Sequence, residues 1–199
     1  EELPKWVKDF NLDNKADEYL NKSWEPLYDI NSYTNSRTDD NVFEGKIVGQ
    51  KSPTFPKDLK NLRSKNGNFN LIKTIPAGNT YTADFAKAAI IGENLGKSEY
   101  TDFLTVSFSS TDYVGHKYGV SAIETEDTYL RLDKDLADFF QFLDKQVGKG
   151  NYTLFLTADH AAVHVPSYLQ SLKIPAHYLE ITKFREFVLK ITKKYFNSI

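Results

Sequence analysis

Two short apolar runs, each closing on an aspartate and a histidine, constrain this chain more than any other feature. "FLTVSF" (residues 103–108) leads into "SSTDYVGH", which carries Asp112 and His116. "YTLFL" (residues 152–156) leads into "TADH", which carries Asp159 and His160. Between the runs lies "IETEDTYLRLDKDLADFFQFLDKQVGKG", with Leu132, Leu136, Phe139, Leu143 and Val147 spaced by threes and fours. That spacing predicts one apolar helical face, stopped by Gly148 and Gly150, with Glu124, Glu126 and Asp127 near the helix start, where its dipole favours negative charge. Strand, long helix and strand predict a βαβ unit with the two strands parallel in one sheet. Their C-terminal ends then share one edge, where ligand sites of open α/β sheets form.

The rest of the chain is read around that unit. "LPKWVKDFN" and "ADEYLNKSW" suggest short amphipathic helices near the start, with Pro4 suited to a first helical turn. Residues 26–76 are rich in Asn, Ser, Pro, Lys and Gly, and predict irregular surface structure with short strands, an insert covering a site. "TADFAKAAIIGENLG" predicts a helix with Thr82 as N-cap and Gly96 as C-cap. A last amphipathic helix is expected from Ile181, Phe184, Val188, Ile191 and Tyr195. The expected division is a cap-like region, residues 1–78, and a βαβ core portion, residues 79–199, of one α/β domain.

Composition removes several function classes. A net charge of −2 with no clustered basic and aromatic residues argues against nucleic-acid binding. No apolar run approaches the length of a membrane span. The absence of cysteine excludes disulfides, thiolate metal ligands and cysteine nucleophiles. The chain opens at Glu1 and has no methionine, so we expect a piece of a longer protein.

Two carboxylates and two imidazoles delivered to one sheet edge suit zinc, and less specifically manganese. Asp112 and His116 are spaced i, i+4, so one helical turn puts them on the same side, with Gly115 and Gly119 permitting tight backbone geometry. Asp159 and His160 are adjacent, so they share a metal only where the backbone turns out of the strand, and otherwise face two metals. The bland alternatives are a chance D-x-x-x-H spacing and an Asp that starts a turn or caps a helix. His164 is read as a residue of the following turn and His177 as a surface residue. Ser109, Ser110 and Thr111 shape a loop, and Phe139, Phe140 and Phe142 are packing residues.

The segments "TDFLTVSFSSTDYVGHKYG", "SAIETEDTYLRLDKDLADFFQFLDK" and "YTLFLTADHAAVH" resemble the alkaline phosphatase superfamily. The match is closest to its type I phosphodiesterase/nucleotide pyrophosphatase branch, and within it to the bacterial phosphate-irrepressible alkaline phosphatases. The resemblance runs through the whole chain, "ELPKWVKDFN" and "SPTFP" included. It implies a partial alkaline-phosphatase-like fold, parallel strands with flanking helices plus an irregular insert. It also implies a site with two zinc ions that hydrolyses a small phosphate ester through a phospho-threonine or phospho-serine. By motif position, Asp112 and His116 would hold the zinc that presents the attacking water, and Asp159 and His160 the zinc that activates the nucleophile.

The departures define what is missing. The family's nucleophile, a further aspartate ligand and the phosphate-contacting Asn, Lys and Arg precede the matched segment, and a third histidine ligand follows it. None has a counterpart here, so no catalytic nucleophile is assigned, and Ala161 stands where the family commonly has glycine. With two protein ligands per metal this chain should bind zinc weakly and hydrolyse phosphate esters negligibly, the remainder of the parent chain being its partner. A phosphate monoesterase is the expected parent. A phosphodiesterase, sulfatase or phosphomutase of the same superfamily, or a non-catalytic α/β binding domain, is the alternative. The family implies a periplasmic or extracellular location.

Overall fold

The computed structural model describes residues 2–196, which divide into two compact units at Val163 and His164. In the first unit, α1 (Lys5–Leu12) and α2 (Lys15–Leu20) open the chain. A two-residue antiparallel ladder follows, β1 (Ser23–Trp24) against β2 (Lys57–Asp58), with α3 (Leu59–Leu62) directly after it. Then come α4 (Ala77–Gly92), α5 (Ser110–Tyr118) and α6 (Ile123–Leu143), the last ending in a π turn over Asp144–Gly148. The second unit holds α7 (Pro166–Ser171) and α8 (Ile181–Phe196).

The long helix forms where its periodicity places it. Phe139 and Leu143 are buried against Ala86 and Ile90 of α4, with Val147 packed alongside. Phe140 and Phe142 join the same cluster as packing residues. The second helix is shorter than its pattern suggests, because Trp24 leaves the helical path to pair in β1. The fourth begins earlier, at Ala77 after Pro76, and Thr82 lies inside it with its hydroxyl bonded to the Gly78 carbonyl. Gly96 lies past the end of that helix at φ +73°, and its N–H donates to Asp102.

The two expected strands are not formed as strands. The sole ladder among the described residues is β1–β2, and residues 103–108 and 152–156 run without a sheet assignment. A crossover fixes the direction of its two strands but not their adjacency, and neither run has a ladder neighbour here. Apolar side chains that a sheet would cover are exposed, Phe103 at 88% and Phe155 at 86%. Each run still touches the helices: Val106 and Tyr152 pack against the α4–α6 cluster.

Segment 26–76 is not the irregular surface structure expected: residues 59–66 and 68–74 are helical, and Ile47, Leu59, Leu71 and Ile75 are core residues packed with Val114 and Tyr118 of α5. The first turns of α6 tie its remainder down. Asp127, fully buried, accepts from Trp24 Nε1 at 2.7 Å, the Leu27 N–H at 2.7 Å, Tyr33 O–H at 2.5 Å and Arg131 Nε at 2.7 Å. Glu126 accepts from the Asn35 N–H at 3.1 Å. Glu124 faces Lys57 across 2.6 Å, and the Lys57 ammonium also lies over the rings of Phe55, Tyr118 and Trp24. Burial explains each arrangement: a charge removed from water requires a partner.

In the second unit, α8 is amphipathic as its pattern predicts, and its apolar residues Phe184, Val188 and Ile191 are exposed. Among the described residues no helix is long and apolar enough to cross a membrane.

Candidate metal centre

α5 carries the first pair of candidate ligands, and its sequence explains how they are presented. Ser110, Val114 and Tyr118 recur every four residues and are all buried, so they form the inward stripe. Asp112 and His116 stand two residues away from that stripe, about 200° around the helix, and therefore point outward. Their side chains are 46% and 75% exposed. Asp112 Oδ1 lies 3.4 Å from His116 Nε2, one turn along.

The second pair reaches the same carboxylate. His160 Nε2 is 3.7 Å from Asp112 Oδ1 and 3.8 Å from Asp159 Oδ2. The backbone does turn at this point: Asp159 Oδ1 accepts the His160 N–H at 3.1 Å, and His160 Nδ1 meets the Ala161 carbonyl at 3.0 Å. Asp112, His116, Asp159 and His160 thus form one neighbourhood, although the strands expected to deliver them are not laddered. The Ala161 carbonyl and the Asp159 carboxylate raise the pKa of the His160 imidazole above its ordinary value; desolvation opposes them, and Asp112 adds a smaller raising effect. His164 and His177 belong to the second unit and are exposed, with the His164 ring against Tyr168 at 5.4 Å.

The donor types suit zinc, but the geometry is incomplete. Among the described residues no three His, Asp or Glu side chains are arranged to hold one ion together. Gly115 is not a backbone requirement either: it is helical, and a Cβ there would meet nothing within 4 Å. Gly119 is the residue that needs its freedom, at φ +99°, where it ends α5.

Residues that periodicity does not reveal hold α5 in place. Asn79 of α4 donates from Nδ2 to Thr111 Oγ1 at 2.9 Å, directly beside Asp112. Gly78 lets α4 abut α5, since a Cβ there would collide with Ser110 Oγ. At the other end the Gly119 carbonyl accepts from Thr125 Oγ1 at 2.7 Å, and Gly45 lies directly on the Lys117 carbonyl. The sequence signal for the first contact is "PAGN", a proline-started helix with small residues in its first turn.

Comparison with known proteins places the chain in a family. The family model described as type I phosphodiesterase / nucleotide pyrophosphatase matches residues 3–186. The chain belongs to that family. It is 51% identical over 93% of its length to a protein named calcium-transporting ATPase from Myroides odoratus, covering 34% of it. It is 51% identical over 88% of its length to alkaline phosphatase PhoV from Synechococcus elongatus, covering 31% of it. The crystal structure of wild-type alkaline phosphatase PafA superposes at a TM-score of 0.86, with 47% identity, over 98% of this chain and 37% of that one. The fold is therefore α/β, a partial alkaline-phosphatase-like fold, and the chain spans about a third of the length of these family relatives.

Proposed function

We propose that this chain is the metal-ligating portion of a zinc-dependent phosphate monoesterase, with Asp112, His116, Asp159 and His160 as four of its ligands. The observation that carries the reading is the convergence of His116 and His160 on Asp112 Oδ1, at 3.4 and 3.7 Å, from segments more than forty residues apart in sequence. The names of the relatives agree on the chemistry, since an alkaline phosphatase and an ATPase both hydrolyse a bond to phosphorus.

When bound, two zinc ions would stabilise the attacking and leaving oxygens of an in-line displacement and lower the pKa of a bound hydroxyl. The chain's own contribution is positioning. α5 holds a carboxylate and an imidazole one turn apart on a helix whose inner stripe is locked in the core. The turn at Asp159 brings a second such pair to the same place. The carboxylates offset cationic charge, and the imidazoles donate nitrogen lone pairs. The nucleophile, the remaining ligands and the phosphate-contacting groups are assigned to the rest of the parent chain, together with export to the periplasm or beyond. That also accounts for the exposed apolar runs 103–108 and 152–156, which would pair in the completed sheet.

Residues 1–199 alone should bind zinc weakly and hydrolyse p-nitrophenyl phosphate negligibly, because structural and catalytic zinc sites take three or four protein ligands. The complete protein should turn the ester over, and Asp112→Ala or Asp159→Ala should reduce both zinc content and turnover. Unchanged zinc content in both variants would move the chain to a non-catalytic α/β binding role.

A further inference from the structure

We propose that Asn79 is a positioning residue for the metal centre, acting through Thr111 to set the direction in which α5 presents Asp112 and His116. The inference rests on the metal-ligating role proposed above. Asn79 stands in the first turn of α4, is 1% exposed, and donates from its side chain to Thr111 Oγ1. Its Oδ1 is buried and has no hydrogen-bond partner among the described residues. A buried amide that forgoes one of its partners is a poor device for stability, since the unmade bond is expensive and an apolar side chain would avoid it. It is a good device for orientation, because the bond it does make has directional geometry.

The position of that bond gives it leverage. Thr111 immediately precedes Asp112, and Asp112 and His116 share one rigid helix, so a tilt at Thr111 moves both ligands together. The far end of α5 is independently fixed by the Thr125–Gly119 bond, the buried Tyr118 and the contact of Gly45 with the Lys117 carbonyl. α5 also packs along α6 and the 3-10 segment Asn68–Thr74, and the side-chain hydrogen bond that Thr111 receives at the near end comes from α4. There Gly78 permits the approach and Asn79 supplies the directed bond. Asn79 acts through the side-chain hydroxyl of the residue that precedes Asp112.

The test is a zinc titration of the complete parent protein against a competing chelator, which reads affinity without reference to turnover. Thr111→Val removes the hydroxyl at nearly constant shape, and Thr111→Ser keeps it. Asn79→Ala and Thr111→Val should each weaken zinc binding about tenfold, the lower end of the range for residues that orient metal ligands. The Asn79→Ala/Thr111→Val double variant should be no weaker than either single, because both remove the same bond. Thr111→Ser should bind as the unaltered chain does. A merely structural role would lower the melting temperature of Thr111→Val while leaving its zinc affinity, measured where the chain is folded, unchanged. Unaltered affinity in Asn79→Ala and Thr111→Val, alongside a loss in Asp112→Ala, would overturn the inference and spare the metal reading. Unaltered affinity in Asp112→Ala and in Asp159→Ala would overturn both.

Discussion

Lys57 and Glu124 face each other at 2.6 Å with neither side chain exposed to solvent at all. They stand on different parts of the molecule, Lys57 on β2 in segment 26–76 and Glu124 in the first turn of α6. The contact is a close ion pair, and the Lys57 ammonium also donates to the Pro53 carbonyl. The pair therefore joins the segment to the helix through charge in a dry interior.

Breaking the pair from one side should cost more than removing it whole. Glu124→Ala leaves a buried ammonium among three aromatic rings, and the expected loss is about 3–5 kcal/mol in urea denaturation. Replacing both residues, Lys57→Met with Glu124→Leu, removes both desolvation costs and should lose less than Glu124→Ala alone. Equal losses in the two variants would show that packing, not charge, dominates there.

Asp127 should behave as a hub. Its carboxylate receives four donors from three places: Trp24 Nε1, the Leu27 N–H, Tyr33 O–H and Arg131 Nε. Asp127→Ala strands them in a buried site, and the expected loss of stability is about 3–5 kcal/mol, against roughly 1–3 kcal/mol for Tyr33→Phe, which removes one donor to Asp127 and the acceptor of the Tyr28 N–H. Thermal denaturation of the two variants gives the comparison directly.

These ties show where sequence patterns are informative and where they are silent. α6 and the outward pair Asp112 and His116 are legible because a helix repeats every 3.6 residues, and burial of one stripe leaves a periodic trace. The Trp24–Asp127 bond joins residues 103 apart and leaves no such trace. Thr82 resembles a helix cap in sequence, yet α4 begins at Ala77, where Pro76 and the contact with α5 set its start. The runs 103–108 and 152–156 carry strand composition, but a strand needs a neighbour, and composition does not say where the neighbour is.

Stability should fall as pH rises from the acid side, and Glu44 is a named cause. Burial, together with the nearby Glu124 and Asp39 carboxylates, pushes its pKa from an ordinary 4.5 up to about 8, while Lys57 opposes the shift. Between those values the unfolded chain has released the Glu44 proton and the folded chain retains it. The unfolded state then binds fewer protons, so unfolding becomes easier with rising pH across that window. Glu124 and Asp39, also raised by burial, contribute in the same direction. Glu44→Gln, which cannot ionise, should flatten the decline in melting temperature between pH 5 and pH 8 without abolishing it. A slope identical to that of the unaltered chain would remove Glu44 from the account.

One substitution made at two glycines should give opposite signs, and the difference tests how α5 is held. At Gly45 an added Cβ falls on the Lys117 carbonyl oxygen, so backbone meets backbone and neither side can yield by a rotamer change. Gly45→Ala should therefore force segment 26–76 away from the end of α5, with a cost of about 1–3 kcal/mol as for other overpacked sites. At Gly115, on the same helix, the added Cβ meets nothing within 4 Å and the backbone is already helical. Gly115→Ala should gain about 0.5–1 kcal/mol by reducing the freedom of the unfolded chain. A melting temperature raised by Gly115→Ala and lowered by Gly45→Ala would establish that α5 is held by contact at its end rather than by flexibility within it. A loss at Gly115 comparable to that at Gly45 would mean that α5 needs glycine for its own backbone.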